Sequence, residues 1–321
     1  MGSGLWSDFD YKKSAKGADA FKFSDATLKK PVEEWAPHEL LNPRDLKIRE
    51  SRDSAEHPES NAVMVGLDVT GSMAQVVVKV RDSMGRLMDM LLNGKYVKDP
   101  QLLLYAVGDA TTDKIPFQVS QFESDIRIND QLTKVILEGG GGGQMTESYE
   151  LGFYVAARHT SIDCLEKRGR KGYLFTIGDE MPYPNVKKTE VKKIFDVVLE
   201  ESVPMKTIVG EAQEKYHTFH ILPKGSDHFG NERVRNKWID VLGEKAFVLM
   251  LEDPSLTCEV IALAIGMTEG AITFEEGLQL VADKSGQKTA GVVRKALTDL
   301  AEYLDGKPKT KKGPPPAITL S

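Results

Sequence analysis

The chain has 321 residues, 40% hydrophobic and 28% charged, with a formal net charge of −6 and a pI near 5.7. That length holds one large α/β domain with extensions or two small domains, and the acidic balance excludes a general nucleic-acid binder, which needs a basic face. The longest apolar runs, such as Ala246–Leu251, are far too short to cross a bilayer.

Residues 1–60 show no sustained hydrophobic period, and prolines at 31, 37, 43 and 58 interrupt any helix. They predict an extended N-terminal arm that lays Trp6, Phe9, Tyr11, Phe21, Phe23 and Trp35 over the main body. The first residues lack the charged-then-apolar pattern of a signal peptide, and Trp6 spoils a myristoylation motif at Gly2. Two distant cysteines, Cys164 and Cys258, read as free thiols in a reducing, cytoplasmic compartment.

The apolar run Ala62–Leu67 predicts a buried strand that ends at Asp68. Asp68, Thr70 and Ser72 follow at alternate positions. Met73–Leu92 then predicts a helix with Val77, Val80, Met84, Leu87 and Leu91 on one face. One carboxylate with two hydroxyls at this spacing is a part-shell for a hard cation, which takes oxygen ligands. Open α/β sheets bind ligands at such junctions of strand carboxyl ends with helix N-termini. The residues alone equally allow Thr70 or Ser72 to cap the helix.

Further along, Gln101–Val107 predicts a second strand closing at Gly108-Asp109, and Ile115–Val119, with Pro116, an antiparallel edge partner. Asp125–Leu137 predicts a helix. Five glycines, Gly139–Gly143, lead into Gln144-Met-Thr-Glu-Ser148 and a helix to about His159. No Gly-Lys-Ser/Thr follows the glycines, so they match a phosphate loop only weakly. Lys171–Ile177 predicts a fourth strand, ending in Gly178-Asp-Glu-Met-Pro182. Helices over Val186–Glu201, Pro204–Lys215, Glu232–Leu242 and Pro254–Ile265 alternate with strands over Tyr216–Leu222 and Ala246–Leu251. His217 and His220 fall on opposite faces of their strand and cannot share a metal. Thr273–Asp283 and Lys288–Tyr303 predict two terminal helices, and Gly306–Pro316 a basic, proline-rich tail. The domain boundaries that follow are an arm over 1–60, a main domain over 61–268, C-terminal helices over 269–305 and a flexible tail over 306–321.

Asp68-Val-Thr-Gly-Ser-Met73 after an apolar strand resembles the D-x-S/T-x-S signature of the von Willebrand factor A (vWA) domain, in its intracellular bacterial or phage type. The resemblance extends in motif and element order over about residues 61–266. It implies a Rossmann-like, doubly wound α/β fold. The sheet would be six-stranded and mostly parallel, with one antiparallel edge strand and helices on both faces. It also implies a metal-ion-dependent adhesion site holding Mg2+ (or Mn2+), with Asp68, Thr70 and Ser72 as its first loop. The family's second loop supplies a Thr after glycines. Thr146 is the candidate here and Gln144 the alternative, because the family's Thr lies nearer the glycines. The third loop supplies an Asp, here Asp179, although the order is Thr176-Ile-Gly-Asp179 where the family has Thr-Asp-Gly. In the family's sheet the first and fourth strands are neighbours, which would face Asp68 with Asp179 and leave Asp109 on the rim. The implied partner is a protein presenting Asp or Glu at the remaining coordination position, with no nucleic acid, membrane or small-molecule substrate.

Enzyme classes fit less well. Gly108-Asp109, Gly178-Asp179 and Gly230-Asn-Glu232 are similar to blocks of metallo-phosphoesterases. The D-x-H of that class is Asp68-Val-Thr70 here, and its His after Gly-Asn is Glu232, so a two-metal site lacks ligands. An aspartyl phosphatase wants a second Asp where Thr70 stands, and no G-x-S-x-G elbow occurs. A structural or assembly component without metal is the remaining alternative.

Overall fold

The computed structural model describes residues 22–44, 47–243 and 247–306. Six strands form one sheet: β1 (Asn61–Asp68), β2 (Pro100–Val107), β3 (Phe117–Val119), β4 (Gly172–Ile177), β5 (Tyr216–Pro223) and β6 (Phe247–Leu251). Their spatial order is β6-β5-β4-β1-β2-β3. Every pair is parallel except β2 with β3, which is antiparallel. This is the Rossmann-like α/β fold expected above, with the first and fourth strands adjacent and the antiparallel strand at the edge.

The strands are buried on both faces, so they read as continuous apolar runs. Alternate residues still separate into two cores. Val63, Val65, Leu102, Leu104, Phe175 and Ile221 pack against helices Ala74–Asn93 and Thr257–Thr268. Ala62, Met64, Leu103, Tyr105 and Leu174 pack against helices Tyr149–Arg158, Met205–Lys215 and Glu232–Leu242. The predicted stripe Val77, Val80, Met84, Leu87 and Leu91 is buried throughout.

Tyr105 shows how tight the second core is. Its ring lies over Gly66 and Gly152, where an added Cβ would come within 2.0 and 2.5 Å of ring atoms. Gly66→Ala is expected to destabilise the protein by about 3 kcal/mol through overpacking, read as a lower urea midpoint at unchanged slope.

Several expectations are corrected. The predicted helix over Asp125–Leu137 is helical only over Arg127–Leu132. Beyond it the backbone pairs sideways: Ile136 N donates to Gln118 Oε1 and Gln118 Nε2 donates to Ile136 O, both at 2.9 Å. Glu138 accepts from the amides of Lys114 and Ile115. The helix predicted over Val186–Glu201 stops at Phe195, where Asp196 turns left-handed at φ 58°. Asn185–Val186 and Val203–Pro204 instead form a small antiparallel pair.

The arm is not simply extended. Lys22–Leu28 is a helix, and Ser24 Oγ accepts from Leu137 N at 2.9 Å. Phe23 stands edge-on to His38, and Arg49–Ser51 pairs in parallel with Thr160–Ile162. Arg52 then binds Asp163 and Glu166 at 2.8 and 2.6 Å. Trp6, Phe9, Tyr11 and Phe21 lie outside the described residues, as do Ala246 and most of the proline-rich tail.

The terminal helices run over Phe274–Ser285 and Gln287–Leu304, the first opened by a Thr273–Glu276 capping box. Leu278, Val281, Val293, Leu297 and Leu300 join the core of the first face, so these helices are packed continuously with the main domain.

Candidate metal centre

Three loops meet at the carboxyl ends of β1, β2 and β4, where the strand order reverses and ligands of such sheets bind. The first follows β1. Thr70 N and Thr70 Oγ1 both donate to Asp68 Oδ1, at 2.8 and 2.6 Å, so the D-x-T spacing closes a local turn. Thr70 Oγ1 and Ser72 Oγ lie 3.3 Å apart. Gly71 N donates to Gly140 O at 3.0 Å, which pins this loop to the glycine run.

That run is shaped by backbone freedom. Gly139, Gly141 and Gly143 have φ of 67°, 109° and 70°, a region costly for other residues. Asp113 holds it from below by accepting from Gly141 N (2.9 Å) and Asp109 N (2.8 Å).

The third loop follows β4. Ser72 Oγ donates to Asp179 Oδ1 at 2.8 Å, and His228 N donates to Asp179 Oδ2 at 2.8 Å. Asp68, Thr70, Ser72 and Asp179 are thus brought into one continuous chain of oxygens. Adjacency of β1 and β4 does this, with Leu67 in register with Ile177.

Gln144 is engaged elsewhere: its Nε2 donates to Tyr183 OH and Asp109 Oδ2, at 2.5 and 3.0 Å. Asp109 is closed by its own turn, accepting from Thr111 N and Thr111 Oγ1, and by Tyr183 OH at 3.0 Å. The second-loop residue that lies against the first loop is Glu147: a Cβ on Gly141 would sit 2.8 Å from its Oε1 and 3.6 Å from Thr70 Cβ. Thr146–Glu147 pairs in parallel with Met181–Pro182, and neighbours in a strand point to opposite faces. Glu147 is 1% exposed and its Oε2 has no hydrogen-bond partner.

Tyr149 ties the loops together. Its hydroxyl donates to Asp68 Oδ2 at 2.5 Å and accepts from Glu180 N at 3.4 Å. A Cβ on Gly178 would sit 2.0 Å from that hydroxyl, so the turn after β4 needs glycine. Behind Tyr149, Trp238 stacks on His220 at 3.6 Å and donates Nε1 to Glu180 O at 2.8 Å. His220 is therefore a buried packing residue, while His217 lies against Tyr173 on the other face.

The electrostatics are lopsided. Asp68, Asp109, Glu147, Asp179 and Glu180 are all buried. Among the described residues no Lys or Arg pairs with any of them, and the ion pair that reaches them is His228 Nε2 with Glu180 Oε1 at 3.4 Å. Burial pushes the Asp68 carboxyl up to about 7, against the hydrogen bonds from Thr70 and Tyr149 that favour its charge. Burial, and then the charges of Asp68, Glu180 and Asp109, raise Glu147 further. Burial raises Glu180 as well.

Buried carboxylates without countercharge, together with hydroxyls at hydrogen-bond distance, form an oxygen donor set suited to a hard divalent cation. Asp68, Thr70, Ser72 and Asp179 fit that role. Among the described residues no three His, Cys, Asp or Glu side chains cluster closely enough to cage an ion by themselves, so hydroxyls must carry part of the shell. Asn231, in the stretch similar to phosphoesterase blocks, caps helix Glu232–Leu242 by accepting from Arg233 N, and Glu232 is exposed.

Strand order and loops define a doubly wound α/β protein with a buried, acidic, oxygen-rich cluster at its topological switch point. No family model and no curated protein sequence matches this chain. Among solved structures it is similar to the open form of the pilus adhesin SpaC from Lactobacillus rhamnosus GG, at 11% identity and a TM-score of 0.45. That match covers 69% of this chain but only 31% of the adhesin. It is also similar to the conserved hypothetical protein BatB from Bacteroides thetaiotaomicron, at 13% identity and a TM-score of 0.42. There 66% of this chain covers 100% of that one. Among the described residues no helix is long and apolar enough to cross a membrane.

Proposed function

We propose that this chain is a divalent-cation-dependent protein-interaction module of vWA type rather than an enzyme. The observation that carries this reading is the bond from Ser72 Oγ to Asp179 Oδ1, which joins the D-x-T-x-S loop to the third-loop acid across 107 residues. Asp68, Thr70, Ser72 and Asp179 would hold Mg2+ or Mn2+, some through water. The cation supplies concentrated positive charge at a site otherwise lined by acids. The contact group offered by the partner is a carboxylate of Asp or Glu. A cytoplasmic setting belongs to the same reading, because Cys164 and Cys258 are buried free thiols.

Calorimetric titration with Mg2+ and Mn2+ tests it, using wild type, Asp68→Ala and Asp179→Ala. The expected outcome is saturable binding to wild type and none to either variant. No saturable heat from any of the three, even at millimolar metal, would support the alternative of a metal-free assembly component.

A further inference from the structure

The proposed site leaves Glu147 unexplained. It lies in the two-residue strand Thr146–Glu147, held beside Met181–Pro182. Thr146 is half-buried and Glu147 buried, so Glu147 takes the inward face of this strand. Its carboxyl is nearly inaccessible, at 1% exposure, and Oε2 has no hydrogen-bond partner. Its Oε1 lies over Gly141, where an added Cβ would sit 2.8 Å from it and 3.6 Å from Thr70 Cβ. Thr70 in turn holds Asp68. A buried carboxylate oxygen with no donor is costly unless something supplies positive charge.

We propose that Glu147 is the cation site's own internal carboxylate, occupying the coordination position otherwise offered to a partner's acid. This rests on the cation reading above and deepens it. Among the described residues no three acids are close enough to cage an ion as the side chains stand, so cation binding through Asp68 and Asp179 draws Glu147 in by rotation of its side chain over Gly141, the neighbour that has none. With Asp68, Asp179 and Glu147 all ionised, a divalent ion leaves the site with a residual negative charge. An acidic partner group must then displace Glu147 before it can bind. The glycine run is the segment that can carry Glu147 aside, since three of its five members already use backbone conformations open to glycine.

The test uses Mn2+ alone and acetate as the carboxylate probe, on the full chain. Mn2+ affinity is measured by calorimetry for wild type, Glu147→Gln, Thr146→Ala and Asp68→Asn. Paramagnetic relaxation of the acetate methyl protons reports whether a carboxylate reaches the bound ion. Glu147→Gln is expected to weaken Mn2+ by about tenfold or more, the scale of loss when support of a metal ligand is removed. Thr146→Ala should leave affinity unchanged. Acetate relaxation should be absent with Mn2+-loaded wild type and appear with Mn2+-loaded Glu147→Gln. The proposal is overturned if Glu147→Gln binds Mn2+ as tightly as wild type while Asp68→Asn does not, an outcome that leaves the cation site standing. Acetate relaxation by Mn2+-loaded wild type overturns it too, and needs no variant to fold. If wild type binds no Mn2+, the cation reading falls and this one with it.

Discussion

Mg2+ is expected to raise the melting temperature of the wild type, and Asp68→Asn to abolish that rise. A cation at about one hundred times its dissociation constant stabilises the folded state by about 2.7 kcal/mol when it binds only that state. The asparagine Oδ1 still accepts from Thr70 N and Thr70 Oγ1, while its amide NH2 stands where Asp68 Oδ2 was and donates to the Tyr149 hydroxyl instead of accepting from it. The variant should therefore fold, and the lost increment reports the cation.

The same substitution should alter the pH dependence. Burial holds Asp68 at about 7, against an ordinary value of 3.8. Between these values the folded chain keeps a proton that the unfolded chain has released. Without added cation, stability should therefore fall as pH rises from about 4 to about 7, by roughly 4 kcal/mol for this group. Cation binding needs the ionised carboxylate, so affinity should climb over the same range, by up to about tenfold per pH unit. The Mg2+ increment is thus larger at about pH 8 than at about pH 5.5. In Asp68→Asn the fall below pH 7 becomes shallower. What remains belongs to Glu147 and Glu180, whose raised values give slopes of the same sign. Thermal melts across pH, with and without Mg2+, measure both effects. An unchanged slope in the variant would remove Asp68 as the titrating group.

Trp238→Ala should produce the largest loss of stability. The side chain is fully buried, stacks on His220 at 3.6 Å, meets Tyr149 edge-on at 5.1 Å and donates to Glu180 O. Truncating a buried tryptophan costs about 3–5 kcal/mol through lost transfer energy and the cavity left behind. Total stability is commonly about 5–15 kcal/mol, so the variant should be close to unfolding at body temperature. The site should suffer with the core, because Tyr149 and the Glu180 backbone both lean on this ring. Trp238→Phe retains most of the apolar volume and removes the Nε1–H donor. Leaving Glu180 O without it should cost about 1–3 kcal/mol. Urea denaturation ranks the three proteins. A Trp238→Phe loss as large as that of the alanine variant would mean that the hydrogen bond, not the packing, holds the third loop.

Much of the architecture was legible along the chain. The strand, oxygen-bearing loop and helix from Ala62 to Leu92 carry their own periods. So do the terminal helices, where Leu278, Val281, Val293, Leu297 and Leu300 are buried although Leu280 is exposed. Helices over 125–137 and 186–201 were overextended because short apolar runs satisfy a helical period when the competing partner is distant. Gln118 takes Ile136 sideways, and Val203 takes Val186. Neither pairing leaves a local trace.

For the site, Asp68, Thr70, Ser72 and Asp179 could be chosen from sequence. Strand ends and side-chain spacing place them, and the strand order then brings them together. Glu147, Tyr149 and Trp238 could not be chosen in this way. Which face of the strand Thr146–Glu147 turns inward depends on its pairing with Met181–Pro182, and the value of the Tyr149 hydroxyl depends on Asp68, 81 residues away. Sequence by itself determined the elements, their order and the oxygen-rich loop, because periodicity and turn chemistry are properties of neighbouring residues. Tertiary structure alone decided which acid turns inward and what orients Asp68, because sheet register sets those contacts between residues that share no local pattern.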